Sequence, residues 1–98
     1  MIKVGKNVWV NFFDNSSFSA PNGWLLDPKK RFLIHFIVNR NSSNKIETVL
    51  TQLWYASELL TPNRLKNTRN LNLRESCETW NELVSNGWKF VEYGELVA

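Results

Sequence analysis

Apolar and polar residues alternate along the first stretch of the chain, and the alternation has the period of a strand. Over Asn7 to Phe13, Val8, Val10 and Phe12 interleave with Trp9, Asn11 and Phe13, residue types that suit a pleated surface. Residues 14 to 22 are rich in Ser, Asn and Pro and read as a connection. A second strand begins at Trp24, and Asp27-Pro28-Lys29-Lys30 turns the chain, with proline pre-set for the second turn position. Arg31 to Asn39 returns as a third strand. Its two faces, Phe32, Ile34, Phe36, Val38 and Leu33, His35, Ile37, are both largely apolar, as a central strand covered on both sides requires.

Residues 46 to 60 carry two patterns at once. Ile46, Val49, Leu50, Leu53, Trp54 and Leu60 fall close to helical spacing, with Asn44 and Glu47 spaced as a capping box. Thr48, Val49, Thr51, Trp54 and Tyr55 favour a strand instead, paired to the third. Pro62 ends either element. The last third is unambiguous. Asn72 caps a helix whose third residue is Glu75, and Leu73, Cys77, Trp80, Leu83 and Val84 make one apolar stripe. Gly87 stops the helix, Trp88 folds back onto Leu83, and residues 89 to 93 leave as a final strand. The predicted class is α+β: a small antiparallel sheet of four to five strands packed by a C-terminal helix, with residues 46–60 either strand or second helix. Residues 1–22 form an N-terminal strand and loop, and 23–98 a single compact domain.

Composition agrees with a foldable unit. The 98 residues are 43% apolar and 13% aromatic, with five tryptophans, enough for one core without disulfides or metal. Cys77 is the only cysteine and His35 the only histidine, which removes disulfide scaffolds and cysteine–histidine zinc sites together. The longest apolar run, Phe32 to Val38, is broken by His35 and is far too short to span a membrane. Lys3 and Lys6 precede no signal-peptide core, so the expectation is a soluble, cytoplasmic protein without membrane contact. The net charge of +3 conceals an asymmetry. Residues 1–74 hold eleven Lys or Arg against four acids, whereas residues 75–98 hold Lys89 against five glutamates.

Several features together resemble a known family. Gly23-Trp24-Leu25 beside a hairpin, then Leu65-Lys66 with Arg69, then Leu73, Trp80, Leu83 and Gly87-Trp88, resemble the small cyanobacterial proteins grouped as the domain of unknown function numbered sixteen fifty-one. The likeness spans Gly23 to Val91 and leaves residues 1–22 outside. It implies an α+β domain with residues 47 to 55 extended, in a cyanobacterial cytoplasm. It carries over no activity, cofactor or catalytic residue.

The residues themselves offer little chemistry. Nucleophilic catalysis needs a Ser or Cys beside an oriented His. His35 lies between Leu33 and Ile37 on a strand face, and Cys77 lies on the inner stripe of the helix; both read as structural. Glu75, Glu78 and Glu82 form the solvated side of the helix, Asp27 is a turn residue, and no Gly-rich phosphate loop exists. The expectation is a protein that is not an enzyme and uses no metal or cofactor.

The favoured function is a protein-interaction or regulatory module. Trp9, Phe12, Phe13 and Phe18 are its candidate anchors for an unidentified protein partner or a homodimer, because aromatic residues dominate interface energetics. The alternative is a nucleic-acid-binding domain using the basic segment 64–74, where Arg64, Lys66, Arg69 and Arg74 would follow a phosphate backbone.

Overall fold

The structure is a computed structural model, and it describes residues 20–92. Its elements are β1 (Gly23–Leu26), β2 (Phe32–Arg40), β3 (Ile46–Ala56), β4 (Pro62–Leu71), α1 (Leu73–Ser85) and β5 (Lys89–Val91). The five strands form one sheet in the order β4-β3-β2-β1-β5, with every neighbouring pair antiparallel. The first four make a meander, and β5 joins at the far edge, beside β1. Because β4 and β5 run the same way on opposite edges, the chain between them must cross the sheet while returning to its starting end. A helix of 13 residues rises about 20 Å, close to the width of four strand spacings. That match lets α1 lie diagonally over one face.

Three hairpins build the meander with the same local device. Asp27, Asn41 and Ser57 each accept, through the backbone carbonyl, the N–H three residues on, from Lys30, Asn44 and Leu60. Their side-chain oxygens accept two more, from Lys29 and Arg31, Ser43 and Lys45, and Leu59 and Thr61. Lys30, Asn44 and Leu60 all take positive φ, at 61°, 63° and 64°. Such a left-handed residue after a type I turn is the usual way to close a hairpin with a bulge. Residues 46–56 are therefore strand and not helix. Asn44, which read as a helix cap, is the left-handed residue of the β2–β3 hairpin.

Register and alternation divide the sheet into two faces. Toward α1 point Leu25, Phe36 and Val49, which with Ala20 and Trp80 form the buried core. Phe36 meets the Trp80 ring edge to face at 5.0 Å between centroids, and Phe90 flanks the indole at 6.3 Å. Gly23 stands here because a side chain would collide with Phe90, 2.9 Å from an added Cβ, and its φ is +126°. Away from α1 point Trp24, Leu26, Leu33, His35, Leu50 and Trp54. The central strand β2 is buried on both sides, Phe36 on one face and Leu33 on the other, each with no exposure.

The helix follows its sequence signals residue by residue. Asn72 accepts from the Glu75 N–H at 2.8 Å and Glu75 accepts from the Asn72 N–H at 3.1 Å, a complete capping box. At the other end Gly87 takes φ 97°, its N–H donates to Val84, and the Trp88 N–H donates to Leu83. This is the Schellman arrangement expected from glycine at that position. β4 is the element that polarity concealed, since its residues Asn63 to Asn70 are all exposed.

Candidate functional site

The basic segment lies on an edge strand. Edge strands expose unpaired backbone groups, and cations, proline and bulges are the usual protection against stray pairing. β4 has all three: Pro62 at its start, Arg64, Lys66 and Arg69 along it, and two irregularities in its pairing with β3. One irregularity does more than protect. Leu53 pairs with Asn67 but Trp54 pairs with Leu65, so Lys66 is an extra residue. In an unbroken strand Arg64 and Arg69, an odd number of residues apart, would face opposite sides. The extra residue restores the phase, so that Arg64 opposite Tyr55 and Arg69 opposite Thr51 project on the same face, the one toward α1.

That face is left uncovered by the helix at one corner. α1 packs on Leu25, Ile34, Phe36, Val38 and Val49, while Phe32, Leu53 and Tyr55 lie outside this core and remain half-buried. The Arg64 guanidinium sits 4.7 Å from the Tyr55 ring centroid and the Lys66 ammonium 5.7 Å from it. Phe32 lies against the same ring at 5.3 Å between centroids. Cation–π contacts at exposed sites contribute about 0.5–1 kcal/mol each, enough to orient both side chains. Among the described residues no carboxylate pairs with Arg64, Lys66 or Arg69. The corner is a positively charged, aromatic-floored surface.

The predicted set of four does not stay together. Arg74 belongs to the first turn of α1, beyond the opposite end of β4 from Arg64. Six residue steps along β3 separate Tyr55, opposite Arg64, from Val49, opposite Leu71, so the two ends of β4 next to which Arg64 and Arg74 stand are roughly 20 Å apart. Tyr55, absent from the predicted set, joins it. Only the pairing register could have revealed it, because nothing local to Tyr55 marks it. Trp9, Phe12, Phe13 and Phe18, the predicted protein anchors, lie outside the described residues.

His35, Cys77, Asp27 and Glu75 have structural surroundings. His35 stacks on Trp24 at 4.0 Å with 9° between ring planes, and burial holds its pKa below the ordinary histidine value. Burial raises the Cys77 thiol pKa, which a hydrogen bond with Ser76 opposes and the Glu78 charge reinforces. A thiol held in this form is a poor nucleophile. Asp27 closes its turn and Glu75 closes the capping box. Among the described residues no group of three His, Cys, Asp or Glu could hold a metal, and no helix is long and apolar enough to cross a membrane.

A five-stranded antiparallel sheet backed by one C-terminal helix defines an α+β domain of small size. The chain belongs to the DUF1651 family, proteins of unknown function, whose model matches residues 22–93. No curated protein and no solved structure matches it.

Proposed function

We propose that this domain is a cytoplasmic binding module without catalytic chemistry, and that it holds single-stranded nucleic acid along β4. The observation that carries the reading is the bulge at Lys66. Protection of an edge requires charge somewhere on the strand, on either face. Alignment of Arg64, Lys66 and Arg69 on one face, two of them over Tyr55, is an additional arrangement, and it suits a phosphate backbone running beside the strand. The aromatic floor of Tyr55 and Phe32 provides apolar surface for bases.

The test is binding of a labelled single-stranded oligonucleotide, followed by anisotropy at two salt concentrations. Each neutralised phosphate on a single strand contributes roughly −0.7 to the slope of log affinity against log salt, so three cations give about −2. Affinity should then fall about 20-fold between roughly 50 and 200 mM salt. Arg64→Ala with Lys66→Ala and Arg69→Ala should abolish binding, whereas Arg74→Ala should leave most of it. A flat salt response, or binding that survives the triple substitution, refutes the reading.

A protein partner is the second reading, and one observation favours it. Leu59, 85% exposed at the tip of the β3–β4 hairpin, and Leu65, 44% exposed on β4, are large apolar side chains left in water. Size-exclusion with light scattering on the wild type and on Leu59→Ser with Leu65→Ser separates a homodimer through these residues from a monomer. A monomer in both cases removes the homodimer.

A further inference from the structure

The three cations of β4 share a face but differ in what lies beneath them. Arg69 stands opposite Thr51, and among the described residues no aromatic ring backs its guanidinium. Lys66 comes within 5.7 Å of the Tyr55 centroid, but an ammonium is a compact, strongly hydrated point charge with no planar surface to offer. Arg64 differs from both. Its guanidinium carbon lies over the Tyr55 ring at 4.7 Å from the centroid, and Phe32 holds that ring from the β2 side at 5.3 Å with 41° between planes. Arg64 is exposed, so the side of its head turned away from Tyr55 meets water. A base approaching from solvent therefore reaches the guanidinium before it reaches the ring. The guanidinium is planar, delocalised and weakly hydrated, and unpaired bases stack on arginine planes as they do on aromatic rings.

We infer that Arg64, backed by Tyr55, is the platform on which one unpaired base stacks, while Lys66 and Arg69 hold phosphates. This role rests on the reading of β4 as a single-strand site and adds what that site selects: an unpaired base of any identity, beyond negative charge alone. Every base has a π-face, so stacking on Arg64 tolerates any sequence. The bases of a duplex are stacked on one another, and freeing one costs unstacking and unpairing energy, so a duplex gains nothing from the platform. Tyr55 acts as a positioning residue. Its ring holds the Arg64 head by cation–π attraction, which reduces the side-chain freedom lost when a base settles on it. Arg69 carries the same guanidinium without such support, which makes it an internal control.

Two strands of equal length and charge test the assignment: oligothymidylate of about ten nucleotides, within the usual single-strand footprint, and its fully abasic deoxyribose phosphate counterpart. Each is labelled and titrated by anisotropy with the full-length protein. One stacked base changes affinity about 5- to 150-fold, so the wild type should bind oligothymidylate more tightly than the abasic strand by a factor in that range. Arg64→Lys keeps the charge and removes the plane. It should bring the ratio of the two affinities close to one and leave the salt slope of each strand unchanged, whereas Arg69→Lys should preserve the wild-type ratio. Equal affinity of the wild type for both strands would overturn the inference and leave phosphate binding by β4 standing. A ratio that survives Arg64→Lys would place the base elsewhere, and one that falls as far in Arg69→Lys would remove the special role of the Tyr55 support; either overturns it. Binding of neither strand would remove the nucleic-acid reading itself, and the stacking platform with it.

Discussion

The three hairpins provide a controlled comparison, because each places a non-glycine residue at the same left-handed position. At Lys30 the side chain is exposed, so replacing it by glycine removes backbone strain and no packing. An L-residue in this conformation costs roughly 1–2 kcal/mol relative to glycine in the folded state. Glycine's greater freedom in the unfolded chain returns about 0.5–1 kcal/mol of that. Lys30→Gly should therefore stabilise the domain by about 0.5–1 kcal/mol, which for a chain of this size raises Tm by about 2–8 °C. Asn44→Gly should change little, since asparagine visits the left-handed region readily. Leu60→Gly relieves similar strain but gives up a half-buried leucine, and should be neutral to destabilising. Thermal and urea melts followed by circular dichroism give the order Lys30, then Asn44, then Leu60. If Asn44→Gly gained as much as Lys30→Gly, or Lys30→Gly lost stability, the strain argument would be wrong.

Two further outcomes follow from the core and from His35. Trp80, 1% exposed between Phe36 and Phe90, should cost about 3–5 kcal/mol on replacement by alanine. Typical domains hold only about 5–15 kcal/mol, so this variant should lose a large share of its stability; a loss no greater than that of Leu65→Ala in urea titrations would contradict the assigned core. His35 resists protonation when folded and accepts a proton near pH 6.5 when unfolded, so the unfolded state gains protons first as pH falls. Its contribution to stability is therefore complete above that pH and is lost on acidification through it. Urea midpoints should fall more between about pH 7.5 and 5.5 for the wild type than for His35→Phe, which keeps a ring against Trp24; equal losses would rule His35 out.

Part of this molecule was legible in its sequence because part of its bonding is local. The capping box of Asn72 and Glu75, the stripe through Cys77, Trp80 and Leu83, and the stop at Gly87 involve partners within a few residues, and each appears in the structure as read. The same holds for the turn at Asp27 and for the two apolar faces of β2, whose alternation alone marked it as central. Tertiary structure decided the rest. Residues 46–56 carried helical and extended patterns together, and pairing on both sides, to β2 and to β4, made them a strand. β4 itself has no apolar alternation, since an edge strand facing water needs none, and only hydrogen bonds to β3 define it. The face on which Arg64, Lys66 and Arg69 meet Tyr55 depends on a single extra residue in that pairing. Helix hydrogen bonds close over four residues and leave their mark in nearby sequence; strand partners and register are chosen across the whole sheet, so the surface that β4 presents could be seen only once the sheet had formed.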